Sequence, residues 1–191
     1  VTGTADFTTG TNKYSDAGVY TIKPAKGGLS SNNYIFQSFQ EGTYTIGQKD
    51  IEITAVDKSK TYGEDNPSFD ISISGLVKNG NTEFNDITGA PAYSTLAEKF
   101  SDVGEYAVEA ALGNMSSKNY VFQKFNKGTL TIGKKNLTIT AVDKNKTYGE
   151  DNPSFAISIS GLVKNGSAEL NDIIGTPAYS TVAEKYSDAG S

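Results

Sequence analysis

The sequence predicts an all-β protein made of tandem small antiparallel β-sandwich modules of immunoglobulin-like type, set end to end as a rod. Three observations lead there. The nonamer Thr61-Tyr62-Gly63-Glu64-Asp65-Asn66-Pro67-Ser68-Phe69 returns letter for letter as Thr147 to Phe155, an offset of 86 residues from 61 to 147. A match of that length marks a tandem array. Apolar and polar residues alternate with the period of two that belongs to half-buried strands, and no stretch holds a clean helical period. Between the alternating runs sit clusters of Gly, Asn, Asp, Ser and Pro, which form turns.

The offset defines the units. Residues 1–48 lie on residues 87–134 without a gap, and residues 49–105 lie on residues 135–191 with more identities. That second pair was copied more recently or is held more tightly. The chain therefore holds the C-terminal part of one repeat (1–48), a complete repeat (49–134) and the N-terminal part of a third (135–191). A unit of this size buries a modest single core. The array is expected to continue in both directions. The two part-repeats, if left alone, fold poorly or complete each other between chains by burying open sheet edges.

Within the complete repeat the strands follow in order. Ile51, Ile53 and Ala55 alternate with Glu52 and Thr54, and Ile71 and Ile73 with Ser72 and Ser74. Tyr106 and Val108 share one face, with Glu109 on the other. Tyr120 and Phe122 alternate with Val121 and Gln123, and Leu130 and Ile132 with Thr129 and Thr131. Asn79-Gly80 is a hairpin-turn pair. Thr82 to Ile87 is the best helical candidate, one turn long and equally readable as loop. Asp102-Val103-Gly104-Glu105-Tyr106 has the form of a tyrosine corner, repeated at Asp16-Ala17-Gly18-Val19-Tyr20, in which a Tyr hydroxyl bonds back to the turn that enters a strand. The joints are short: Gly133-Lys134-Lys135-Asn136 and Gly47-Gln48-Lys49-Asp50 run from a last strand into a first strand. They are too short for flexible tethers. Each module would add roughly 40 Å of length, from about twelve residues of strand and turn.

Composition removes several chemistries. The chain of 191 residues has a net charge of −5 and no Cys, His or Trp, and its 17 basic residues are all Lys. Without Cys and His there is no thiol or imidazole for a nucleophilic triad or a zinc site. An acidic, Arg-free chain is a poor partner for nucleic acid. No apolar run reaches membrane-spanning length.

Four groups of residues are candidate sites. The acidic loop Glu64-Asp65-Asn66, with Asp57 and Asp70 nearby, offers hard oxygen ligands for Ca²⁺. Its plainer reading, which we favour, is a turn in which Asp and Asn supply local bonds and Pro67 fixes φ; Asp70 becomes Ala156 in the next copy. Glu64 and Asp65 are paired carboxylates of the kind glycoside hydrolysis uses, yet a repeated active site along an array is improbable. A Lys–Asn isopeptide crosslink would suit a Cys-free stalk but has no motif here. Tyr62, Tyr93, Tyr148 and Tyr179 would stack on sugars or a partner, or else pack in the core and between modules, the reading we favour. No catalytic, cofactor-binding or metal residue is assigned, and no enzyme activity is expected.

One pattern ties these pieces together. Ile53-Thr54-Ala55-Val56-Asp57-Lys58-Ser59-Lys60-Thr61-Tyr62-Gly63 with Asn66-Pro67 forms its start. Gly75-Leu76-Val77-Lys78-Asn79-Gly80, the Ser101-Asp102 turn, Asn119-Tyr120 with Phe122, and Gly128 to Gly133 follow. The combination resembles the MBG repeats of YGX type from large bacterial cell-surface proteins and adhesins. The resemblance implies a secreted, structural or adhesive repeat acting as a stiff stalk or fibre, or alternatively a glycan- or host-protein-binding adhesin module. Its partners would be neighbouring repeats of the same chain and a glycan or surface protein, and it implies no cofactor and no catalytic residue.

Overall fold

The computed structural model describes residues 1–190. Sixteen strands follow in order: β1 (Asp6–Thr8), β2 (Gly18–Ala25), β3 (Gly42–Ile46), β4 (Lys49–Ala55), β5 (Lys58–Thr61), β6 (Ile71–Ser74), β7 (Val77–Asn79), β8 (Thr82–Phe84), β9 (Ala92–Thr95), β10 (Gly104–Ala111), β11 (Tyr120–Asn126), β12 (Gly128–Gly133), β13 (Thr138–Ala141), β14 (Ile157–Ser160), β15 (Val163–Asn165) and β16 (Ala168–Leu170). Strands together with isolated bridge residues make up 42 % of the chain, and the described residues contain no helix. The chain divides into two compact units, Val1–Asp57 with Phe69–Thr95 and Ala107–Thr129, and Lys58–Ser68 with Leu96–Tyr106 and Leu130–Ser191.

In the first unit β2 pairs antiparallel with β1 and β3, and β4 lies between β6 and β11. The alternation read from sequence matches the burial: Ile51, Ile53 and Ala55 are all but fully buried. Val108, on β10, is buried and Glu109 beside it is exposed. β10 pairs antiparallel with β9, Val108 opposite Thr95. In the second unit Leu130 and Ile132 of β12 are buried, and β13 pairs with β14, Ile139 opposite Ile159. Every buried apolar side chain among the described residues falls between Ile51 and Ile132, inside the complete repeat.

The expected all-antiparallel arrangement is corrected at two ladders. β11 runs parallel to β4, Phe122 opposite Ile51, and β12 runs parallel to β5, Ile132 opposite Lys60. Side-chain alternation reports which face is buried and is silent about the direction of the partner strand. A parallel pair needs a long crossover, and most of the repeat serves as one. Two contacts set the strands side by side. The Thr129 amide donates to Asp57 Oδ1 at 2.7 Å. Gly128 lies so close to Ala55 that a Cβ there would sit 2.4 Å from the Ala55 carbonyl oxygen.

The helical candidate is also corrected. Thr82–Phe84 is strand β8, paired with β7 in a hairpin, Asn79 opposite Thr82. The Lys78–Glu83 ion pair at 2.7 Å crosses it. The turn is a two-residue loop made of Gly80 and Asn81, one residue later than the Asn79-Gly80 pair: Gly80 takes φ +61° while Asn79 stays at negative φ, so the glycine stands first in the loop, where a left-handed residue is needed and glycine adopts it without strain. The next repeat has the same hairpin, with Asn165 opposite Ala168 and Gly166 at φ +62°. Both tyrosine corners are present: the Tyr20 hydroxyl donates to the Asp16 carbonyl at 2.7 Å and the Tyr106 hydroxyl to the Asp102 carbonyl at 3.0 Å.

Candidate functional site

In the second unit residues 61–68 of the repeated nonamer form a clasp. It leaves β5 at Thr61 and turns at Gly63, which has φ +87°. Glu64 folds back, its Oε2 accepting the Thr61 amide at 2.7 Å. The side chain of Lys60 is buried, and its ammonium donates to the carbonyls of Glu64 at 3.0 Å and Glu98 at 2.6 Å. The Asn66 amide donates to the Ala97 carbonyl at 2.6 Å. Lys60 and Asn66 thus tie the turn to the loop 96–101 from two sides, and a charge-assisted bond is the stronger sort. The later copy makes the same bonds. Lys146 donates to the Glu150 and Glu184 carbonyls, Asn152 to Ala183, and Glu150 accepts from Thr147.

The acids of this loop go to separate partners. Glu64 caps its own turn, Asp65 pairs with Lys99 at 3.0 Å, and Asp57 accepts the Thr129 amide. Asp151 pairs with Lys185 at 3.3 Å in the copy. Among the described residues no three acidic side chains converge as metal ligands would. Glu64 and Asp65, adjacent in sequence, are therefore held apart in role: one carboxylate is bound to backbone and the other to an exposed lysine. Lys60 and Asn66, the Lys and Asn of the motif, each face backbone carbonyls.

The four tyrosines divide. Tyr93 packs on Phe69 with ring centroids 5.9 Å apart, and Tyr179 on Phe155 at 6.1 Å. Tyr62 is half-buried and lines a cleft with Asp102, Val103, Leu162 and Val163. Tyr148, its counterpart, is 64 % exposed.

A second site lies in the first unit, where the tail of the first repeat meets the complete one. Asp16 Oδ2 accepts from Lys118 Nζ at 2.8 Å, and Asp16 Oδ1 accepts from Asn119 Nδ2 at 2.9 Å. The same Asn119 turns its Oδ1 to the Ala17 amide at 2.6 Å. The turn carrying these two side chains is organised by Asp86. Its Oδ1 accepts from the Ser117 hydroxyl at 2.6 Å, and its Oδ2 from the Lys118 and Asn119 amides at 3.0 and 3.1 Å. Gln48, in the short joint, donates to the Lys118 carbonyl at 3.1 Å. Tyr14 stacks on Phe84 beside it, centroids 4.9 Å apart. The hydrogen bonds from Lys118 and then Asn119, together with the Lys118 charge, hold the Asp16 carboxyl below its ordinary value of 3.8. Asp16 in turn raises the Lys118 ammonium above its ordinary 10.5, mainly through the hydrogen bond.

Sequence reasoning did not single out Lys60, Asp86, Lys118 or Asn119 as a site. The signal was present for Asn119, because Asn33 stands at the same place one repeat earlier.

The clasp and the joint define a class: an all-β repeat protein whose most conspicuous motif serves its own fold. The chain belongs to the MBG domain family of YGX type, which matches residues 51–131 and again residues 137–191. Domains of this family typically occur in extracellular surface proteins, as repeats. No curated protein and no solved structure matches the chain.

Proposed function

We propose that this chain is a structural segment of a secreted bacterial cell-surface protein, a stiff stalk or fibre of immunoglobulin-like sandwiches in series, and that it is not an enzyme. One observation carries the reading. In both copies the Glu and Asn side chains of the repeated nonamer, and the Lys just before it, are engaged by backbone of their own repeat, while the Asp pairs with a lysine. A motif turned inward in this way holds a module together and leaves little to offer a substrate. The short joints at Gln48 and Lys134 support stiffness, since a flexible tether needs more residues. The neighbouring repeat is the partner; the acidic, Arg-free surface disfavours nucleic acid.

Small-angle scattering of the 191-residue chain tests this. A compact globule of this length has a radius of gyration of about 16 Å. Modules of roughly 40 Å in series would give about 25 Å. A value near the smaller figure overturns the stalk.

A second reading, an adhesin module that binds glycan or host protein, is favoured by one position. Leu96 is 91 % exposed and its counterpart Val182 is 100 % exposed. An apolar side chain held out at the same place in successive repeats suits a partner that meets the array along its length. Retention on a glycan array or on host surface protein that is lost in Leu96→Ser would support this reading, and unchanged retention would remove it.

A further inference from the structure

We propose that the Asp-x-Gly-x-Tyr turn at the tail of each repeat is a docking surface for the Asn-Tyr turn of the repeat that follows, and that Asp102–Val103 presents this surface to the next module. The inference rests on the reading of the chain as a series of repeats and says what joins them.

The first joint shows the chemistry. Asn119 is a two-way fork: its amide nitrogen donates to the Asp16 carboxylate while its amide oxygen accepts from the Ala17 backbone. The Asn or Gln side-chain amide carries a donor and an acceptor on one planar group, and Asn has the shorter reach. The two bonds at one turn fix both the distance and the rotation of one repeat against the next. Lys118 adds a charge to the same carboxylate. Asp86 acts through the turn, holding Lys118 and Asn119 in place by their amides.

The partner side of this surface recurs at the 86-residue offset. Asp16 and Ala17 become Asp102 and Val103, and the corner tyrosine Tyr20 becomes Tyr106 with the same bond to the turn carbonyl. The cleft beside Asp16 is lined by Ala17, Val77 and Phe84, and the cleft beside Asp102 by Val103, Val163 and Leu170, which are the same positions one repeat on. Changing Ala17 to Val103 leaves the backbone amide that the fork needs. Asp172 stands where Asp86 stands, ready to order the next turn. The counterparts of Lys118 and Asn119 in the third repeat fall past Ser191. In the first repeat the same turn reads Ser31-Asn32-Asn33-Tyr34, so the Asn of the fork is kept and the Lys is not. The fork is therefore the shared element, and the lysine an addition.

Amide hydrogen exchange on the full 191-residue chain tests the clamp. The Ala17 amide should exchange slowly, and Asn119→Ala should speed it by tenfold or more. Lys118→Ala should speed it less, and Asn33→Ala should leave it alone. An Ala17 amide that is fast in the native chain, or indifferent to Asn119→Ala, overturns the clamp. The general form is tested by lengthening the chain at Ser191 with the sequence of residues 106–134, which completes the third repeat. With the added strands protected, the Val103 amide should slow to the level of Ala17. A Val103 amide that stays fast there overturns the recurrence. The outcomes separate from those of the stalk: a compact scattering profile with Ala17 protected removes the rod and keeps the clamp, and an extended profile with Ala17 unprotected removes the clamp alone.

Discussion

At the scale of single residues, three lysines and one aspartate matter most. Lys60 is the buried charged residue of the described chain, at 7 % exposure. Its removal would leave the Glu64 and Glu98 carbonyls without their donor, and the loss of hydrogen bonds to a charged group costs about 1.5–3 kcal/mol. Lys60→Met keeps the aliphatic stem, so urea unfolding should report that loss as polar rather than as a packing defect. Lys146→Met, at the half-buried copy, should cost below about 1 kcal/mol, because water replaces the bond. Equal costs at the two positions would contradict the clasp. Asp16 predicts a pH dependence. Its carboxyl is lowered in the folded chain, so its contribution is complete above the ordinary value of 3.8 and is lost as pH falls through the lowered value. Lys118 is raised, so its contribution is complete below 10.5 and is lost as pH rises through the raised value. The other groups that face the pair are Asn119, Tyr20 and Asp86. The side-chain amide resonances of Asn119 should hold steady between these limits and shift at the acid end. Asp16→Asn should abolish the acid step; an unchanged acid step would assign it to another group.

At the scale of elements, the distinctive feature is the parallel pairing of β4 with β11 and of β5 with β12. It depends on a close approach that a single methyl group would obstruct. A Cβ on Gly128 would meet the Ala55 carbonyl oxygen at 2.4 Å, and the neighbour is backbone, which gives little. Gly128→Ala should therefore cost about 1–3 kcal/mol, the usual range for overpacking. Gly42 occupies the same place in the first repeat, and its nearest neighbours would be Ile22 side-chain atoms at 3.8 Å. Gly42→Ala should be nearly neutral, and thermal unfolding of the two variants side by side checks the contrast. The strands themselves were legible in the sequence, because Ile51, Ile53, Leu130 and Ile132 alternate with polar residues. Their partners were not, because alternation carries no direction. The hairpin at Gly80 shows the same limit at shorter range. Asn79-Gly80 marks the turn, but the register that puts Gly80 first in the loop is set by which cross-strand pairs close, Asn79 with Thr82 among them.

At the scale of the whole molecule, burial is uneven. The buried apolar side chains lie between Ile51 and Ile132, while β13 to β16 carry half-exposed or exposed residues such as Ile139 at 65 %. Stability follows buried apolar area, and local opening is easiest where such contacts are few. Hydrogen exchange should therefore be slowest at β4, β10 and β12, and β13 to β16 should form a separate, faster class. A single uniform class across the chain would show that the part-repeats share the core's protection. The surface ion pairs, such as Lys78–Glu83 and Lys127–Glu109, are more than two-fifths exposed on both partners. Pairs of this kind contribute little, so they should not blur the contrast.

The sequence alone determined the 86-residue repeat, the all-β character, the burial pattern of the strands, the tyrosine corners and the family resemblance. Each of these is written in local order or in self-similarity, which a linear reading can see. Only the tertiary structure decided that the nonamer is a clasp. Lys60 and Asn66 find their partners at Glu98 and Ala97, more than thirty residues away. The same holds for Asn119, whose two bonds reach back across |i−j| of 103 and 102 residues to Asp16 and Ala17. Which donor meets which carbonyl depends on where the chain brings them together, and no periodicity along the chain encodes that distance.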